Sequence, residues 1–338
     1  MAQRHNNIGR LVHRAAEEIR ASAYIGRTAG VGEGFNAFRA KLDLQVMNRN
    51  GYFESPAVKA RLMRKHEAVM TCLERLLGDF ADSYDFEMGL APVPEGMGDK
   101  IWMCWWQGLE NAPAVVRACV DSVRRNAGGR EVVVVTEDSL GSYVDLPGWM
   151  LEKVDAGVAS RTNLSDLLRL SLLARYGGIW LDSTFYCCGA LEGPIYNAPL
   201  FSIKRPDYLH GSIASGYFAG YSLGCDGENR EIFAFVRDLF LEYWRRSDFL
   251  IDYLLIDYLI VLAQRHRPEI KQRFDGIMPN NPACDELYKV MGDAYDEEAW
   301  RRLSSDTDLF KLTWKRGYPE AVERNPTFFG KLIDGGLL

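Results

Sequence analysis

Long apolar runs are missing from this chain of 338 residues. The longest, 249–263, falls short of the roughly 20 residues a bilayer-spanning helix needs and carries Asp252 and Asp257. No apolar signal segment follows the polar opening Arg4, His5, Asn6 and Asn7. Positive charge is in deficit: 40 Lys and Arg stand against 46 Asp and Glu, a formal net charge of -6. That balance argues against nucleic acid as a partner, because proteins that track phosphates carry a basic surplus. The seven cysteines are odd in number and form no Cys-x-x-Cys pair, which removes the usual zinc and redox frameworks. Several sit in apolar runs, as buried thiols do in a reducing compartment. Repeats and low-complexity segments are also absent. A soluble, cytoplasmic chain is expected.

What is present is an ordinary globular composition, 47% hydrophobic, 12% aromatic and 25% charged, in a length suited to one large domain or two small ones. Charge is spread unevenly. Residues 1–77 hold 13 basic against 7 acidic side chains, a surplus of six that leaves minus twelve for the remainder. Two readings stand for this basic front end. One is a solvated helical face. The other is peripheral contact with the anionic inner face of a membrane, where a well-placed cation contributes about 1 kcal/mol.

Residues 8–90 read as helical, with Leu11, Ala15 and Ile19 and then Leu62, Val69, Leu73 and Leu77 at helical spacing, and a break over Gly26–Gly34. The stretch Ala91–Gly98, rich in Pro and Gly, reads as a linker. Beyond it the texture changes. Ile101–Trp106 is a short aromatic strand, Pro113–Asn126 an amphipathic helix, and Glu131–Thr136 a strand apolar on both faces, as in the middle of a parallel sheet. Ser165 can cap a helix to Tyr176, after which Gly177-Gly178 leads into a strand over 179–185. Further strands are expected over 199–203 and 217–223, and helices over 230–244 and 249–265. Strands alternating with helices define an α/β sheet. The resulting division is 1–95 as an N-terminal helical region, 96–316 as the α/β domain and 317–338 as a tail.

Ligands of open α/β sheets bind beyond the carboxyl ends of the strands. That rule selects Trp105, Trp106 and Gln107 after the first strand, and Asp182, Ser183 and Thr184 after a later one. A carboxylate ending the run Ile-Trp-Leu needs a cation or donors, so Asp182 is either half of a structural salt bridge or the centre of a site. Asp166 and Arg169 share one helix face. They form a local ion pair, or they hold a ligand's hydroxyls and anionic groups. Asp257, amid apolar neighbours, is an interhelical hydrogen-bonding group or an acid–base group. Asn280 and Asn281 suit a turn or a ligand contact. Lys311 and Lys315 are surface residues or partners for a developing negative charge.

The pattern Ser165-Asp-Leu-Leu-Arg169 followed by Tyr176-Gly-Gly-Ile-Trp-Leu-Asp182 resembles the signature of family 32 glycosyltransferases and the donor-site core of the large clostridial glucosylating toxins. More narrowly, Ile101–Pro113, Phe249–Tyr258 and Lys311–Lys315 are similar to segments of the capsular polysaccharide synthesis proteins, over roughly 96–316. The resemblance implies a Rossmann-like GT-A fold, a mixed sheet flanked by helices, and retaining transfer of a sugar from a nucleotide-diphosphate donor to a saccharide or lipid-linked acceptor. It places Trp105 against the base, and Asp166 and Arg169 on the sugar or ribose and the diphosphate. By their positions in the sequence, Gln107, Ser183, Asn280 and Asn281 are further candidate donor contacts, and Asp257 joins Asp182 as a candidate catalytic residue. Asp182 would open an Asp-any-Asp motif for Mn2+ or Mg2+, but its second acid is replaced by Thr184, which weakens a divalent site. Two rivals remain. One is a non-catalytic sugar-nucleotide-binding protein descended from a transferase. The other is an adaptor in which residues 1–95 recruit a partner, tested by whether deleting them leaves transfer activity unaffected.

Overall fold

The computed structural model describes residues 2–49, 53–86 and 89–337, and within them the side chains of all but 2–15, 48 and 49. The chain opens with helices α1 (Ala2–Ala29), α2 (Val31–Arg49) and α3 (Pro56–Asp82). Then come β1 (Ile101–Cys104), α4 (Ala114–Arg125), β2 (Val132–Val135), α5 (Gly148–Asp155), α6 (Arg161–Tyr176), β3 (Gly178–Leu181), β4 (Phe185–Cys187), α7 (Gly193–Tyr196), β5 (Leu200–Ser202), β6 (Ser222–Cys225), α8 (Arg230–Arg246), α9 (Leu255–His266) and, late in the chain, β7 (Leu309–Lys311).

Five strands form a mixed sheet in the order β2-β1-β3-β6-β5. β1 runs parallel to β2 and β3, whereas β6 is antiparallel to both β3 and β5. The carboxyl ends of β1, β2, β3 and β5 therefore share one rim with the start of β6. Alternation along the strands assigns each face a core. Trp102, Cys104 and Trp180 join the large cluster with α3, α6, α8 and α9. Ile101, Met103, Ile179 and Leu181 pack on the other side with Val120 and Val123 of α4. Helices thus cover both faces, as an α/β sheet requires.

Several expectations need adjustment. The all-apolar strand β2 lies at the sheet's edge, and Val132 and Val134 are only half-buried. Ser160, not Ser165, caps α6: its hydroxyl accepts from the amide of Asn163, and the Asn163 side chain returns a bond to the Ser160 amide. Asp166 consequently sits in the second helical turn. The strand expected over 179–185 is divided, because the chain leaves the main sheet at Asp182 and β4 pairs with β7 instead. The segment 217–221 remains loop, and α9 begins at Leu255. Of the first periodic set, Ile19 is exposed, and the side chains of Leu11 and Ala15 lie outside the described ones.

In the second set Leu62, Val69, Leu73 and Leu77 are all buried. Val69, Leu73 and Leu77 share one hydrophobic cluster with the sheet helices, so α3 is part of the α/β core. At the other end Phe328, Leu332 and Leu337 are buried against α4, and the Tyr186 hydroxyl bonds to the Leu337 carbonyl. Residues 317–337 are thereby folded onto the domain. The seven cysteines are free, and all but Cys188 are buried. Among the described residues no helix is long and apolar enough to cross a membrane.

Candidate active site

The turn between α6 and β3 explains why Tyr176-Gly-Gly precedes the central strand. The Tyr176 ring stacks on Trp102 of β1, centroids 5.3 Å apart, and its hydroxyl donates to the Tyr143 carbonyl. The Trp102 indole donates to the Gly177 carbonyl at 2.9 Å. Gly177 and Gly178 have φ of 72° and 85°, a region that disfavours side chains. A Cβ on Gly178 would overlap the Lys100 carbonyl oxygen, and one on Gly177 would lie 2.9 Å from that of Cys225. The glycines let β3 enter between β1 and β6, and β3 delivers Asp182 to the rim.

There Asp182 is held from three sides. Its Oδ1 accepts from the Trp180 indole at 3.1 Å and from Arg169 Nη2 at 3.3 Å. Its Oδ2 accepts from Lys311 Nζ at 2.9 Å. Burial raises the pKa of this carboxyl, but Lys311 and Arg169 outweigh burial and hold it below the usual range. The side chain is still 28% exposed, and it faces a cavity of about 440 Å³. So the salt bridge and the cleft coexist.

Arg169 forms the hub. Its Nη2 also meets Asp166 Oδ1 at 3.2 Å, its Nη1 donates to the Gly220 carbonyl, and its guanidinium lies 5.2 Å from the Trp180 ring centroid. Both Asp166 and Arg169 line the cavity while forming the ion pair their spacing suggested. Burial pushes Asp166 up to about 7 against the pull of Arg169, with the nearby Asp182 and Asp257 adding to the rise. Asp257, in the first turn of α9, lines the same cavity. Its Oδ2 accepts from Ser212 Oγ at 2.6 Å. Its Oδ1 is buried without a hydrogen-bond partner among the described residues and abuts Gly220. Burial raises this carboxyl to about 6, opposed by Ser212 and Arg169.

Other expected residues stand outside the cavity lining. Trp105 follows β1 at the rim, half-buried, with its amide bonded to the Val135 carbonyl and its ring edge-to-face with Trp314 at 5.7 Å. Gln107 is exposed, and its carbonyl accepts from Asn111. Ser183 and Thr184 are buried in the turn after Asp182. Asn280 bonds to the carbonyls of Ser202 and Met278. Asn281, at φ 48°, accepts from the amides of Asp308 and Leu309. These two asparagines fasten β5 and β7, which is the turn-like role open to them. Lys315 is exposed.

Other wall residues come from outside the sequence motifs. Between β5 and β6 run 19 residues without regular structure, contributing Arg205, Tyr208, Ser212, Gly220 and Tyr221 to the cavity. Loops longer than about 12–15 residues are usually functional, so this length was a usable signal. Arg205 Nη2 pairs with Asp285 at 2.7 Å. Leu44 and Met47 of α2 close another side. Nothing in their local pattern distinguishes them from ordinary helix packing.

A divalent ion at Asp182 and Thr184 does not fit this donor set. Lys311 Nζ lies between the two, 2.9 Å from Asp182 Oδ2 and 2.6 Å from Thr184 Oγ1. Among the described residues no group of three or more His, Cys, Asp or Glu could hold a metal. A divalent ion ~4 Å from an ammonium is repelled by roughly 8 kcal/mol at an effective dielectric constant of about 20.

Fold and site together define an α/β protein with a cleft at its strand-end rim, whose largely apolar lining carries buried carboxylates and cations. Its family is established by sequence: the model for "Capsular polysaccharide synthesis protein" matches residues 49–332, and the chain belongs to that family. The match extends beyond both ends of the 96–316 segment that carried the resemblance, taking in α3 and most of the closing segment. The chain is also 33% identical over 116 residues to "Glycosyltransferase afumC" of Aspergillus fumigatus. That alignment covers 32% of this chain and 30% of the relative. Among solved structures it is similar to "PaToxG Glycosyltransferase" (TM-score 0.40, 14% identity, 82% of this chain and 96% of that one). A second is "WbbM bifunctional glycosytransferase apo structure" (TM-score 0.39, 10% identity, 94% and 70%).

Proposed function

We propose that this protein is a GT-A-type glycosyltransferase that moves a sugar from a nucleotide-diphosphate donor to a saccharide or lipid-linked acceptor in surface polysaccharide assembly. One observation carries the reading: Asp166, Arg169, Asp182, Asp257 and Lys311, drawn from four separate segments, line one cavity at the strand-end rim. Breaking a glycosidic bond to a diphosphate places negative charge on the leaving group, and cations fixed in a partly desolvated cleft stabilise it. Asp257, with one oxygen unpaired, is suited to accept the proton of an acceptor hydroxyl. Trp105 and Trp314 would offer aromatic faces to the base at the same rim. Retention at the anomeric carbon follows from the resemblance to family 32. The basic front end would bring the cleft to an anionic membrane carrying the acceptor.

The test is donor hydrolysis and transfer by the full chain across a panel of sugar nucleotides, wild type against Asp182→Asn. The variant should lose about 100-fold or more in turnover. Near-normal turnover would remove Asp182 from the site. A second reading, a binding protein that performs no chemistry, is favoured by the engagement of both Asp182 oxygens. Tight nucleotide binding by the wild type without any turnover would select it.

A further inference from the structure

Lys311 occupies the point where a motif of two acids would hold its metal. Its ammonium bridges Asp182 Oδ2 and Thr184 Oγ1, the first and third positions of Asp-Ser-Thr. It also lies 5.4 Å from the Phe185 ring centroid and 5.6 Å from that of Tyr221. Aromatic faces that flank a cation in this way stabilise it.

The lysine is held there by its backbone. β7 pairs with β4 so that Lys311 stands opposite Phe185. The Lys311 amide donates to the Cys284 carbonyl at 2.8 Å, and the Leu312 amide donates to the Thr184 carbonyl at 2.9 Å. The same hydrogen bonds therefore fix the turn carrying Asp182 and the strand carrying Lys311. An acid at 184 would face the ammonium directly, whereas the threonine hydroxyl accepts from it. The replacement of the second acid and the presence of Lys311 are complementary.

We infer that the Lys311 ammonium takes the place of a divalent ion in this cleft, serving as the fixed positive charge that receives the diphosphate of a nucleotide-sugar donor. The inference rests on the transferase reading above. An ammonium supplies one charge and three donors without needing to be recruited from solution. A diphosphate is a strong acceptor of charge-assisted hydrogen bonds. Arg169, paired with Asp166 and Asp182, and Arg205, paired with Asp285, line the same cavity.

The experiment is calorimetric titration of the full chain with uridine and guanosine diphosphates, in EDTA and then in millimolar Mn2+. Wild type should bind one of them with the same affinity, within about twofold, in both conditions. Lys311→Met, which keeps the stem between the two rings, should weaken diphosphate binding about tenfold or more while leaving nucleoside binding unchanged. Thr184→Asp combined with Lys311→Ala should regain diphosphate affinity in Mn2+ alone. Thermal melts of the unliganded variants show that each is folded. Wild-type affinity that needs Mn2+, or Lys311→Met binding the diphosphate as wild type does, overturns the inference and leaves the transferase reading standing. Absence of binding by any nucleoside diphosphate or its sugar in either condition overturns both.

Discussion

Lys65 and Asp252, 187 residues apart in sequence, meet inside the protein with Nζ and Oδ2 separated by 2.9 Å. Both side chains are almost wholly buried. Asp252 is one of two acids that interrupt the longest apolar run, and Lys65 lies on the helix that precedes the sheet domain. Their contact ties α3 to the segment leading into α9, which carries Asp257 to the cavity. Beside it His66 bonds to the Tyr258 hydroxyl and the His210 carbonyl, closing the same joint.

Removing one member of this pair should be costly. Lys65→Met leaves the buried Asp252 carboxylate without its hydrogen-bonded cation and should lower stability by about 3–5 kcal/mol, whereas Lys65→Met with Asp252→Leu should recover most of the loss. Burial opposes ionisation of Asp252, but Lys65 and Lys41 outweigh it and hold the carboxyl down at about 2. The wild-type contribution is therefore complete above pH ~4 and disappears as pH falls through about 2. Urea unfolding at several pH values measures each part.

The opposite sign is expected at Asp257. Its carboxyl is raised to about 6 in the folded protein, so the native state holds a proton that the unfolded chain has released. That contribution is full below pH ~4 and is lost as pH rises through about 6. Asp166, raised to about 7, acts in the same sense. Asp257→Asn should gain on wild type by on the order of 2 kcal/mol between pH 4 and 7. Denaturant midpoints of the two proteins over that range give the difference directly.

Gly178→Ala should destabilise by about 2–3 kcal/mol, because it combines a positive φ with overlap against the Lys100 backbone just before β1. Gly227→Ala, where an added Cβ meets nothing within 4 Å, should be nearly neutral. Comparison of their melting temperatures separates backbone crowding from loss of glycine as such.

Deleting residues 1–95 should yield an aggregating chain, not a working core. Val69, Met70, Leu73 and Leu77 of α3 are fully buried in the cluster that backs the sheet. Large-to-small losses cost about 2–5 kcal/mol each, and a whole domain is stable by only about 5–15. Solubility and the near-ultraviolet dichroism of the truncated chain are the measurements. A soluble, cooperatively folding truncation would show that α3 is dispensable.

Local pattern revealed what local physics controls. The βαβ units, the glycine turn and the acid ending β3 were all legible, since periodicity and the strand-end rule depend on neighbouring residues. The cap of α6 was misplaced because Ser160 and Ser165 are both eligible and only Asn163 decides between them. Long-range pairings were illegible. Asp182 and Lys311 are 129 positions apart, and no spacing in either segment announces the other. The departure of β4 from the main sheet was hidden for the same reason, since its partner β7 comes more than a hundred residues later. The wall supplied by Leu44 and Met47 looked like any helix surface.

The irregular passage joining β5 to β6 starts and finishes on adjacent, hydrogen-bonded strands. Its endpoints are thus held a fixed short distance apart whatever lies in between, and closing a loop twice as long costs only about 0.6 kcal/mol more entropy. Insertions or deletions there can reshape the cleft's roof without shifting the register of a single β pair. The cavity wall can therefore be reshaped in this passage provided Arg205, Ser212 and Gly220, which pair with the charged groups Asp285, Asp257 and Arg169, are kept.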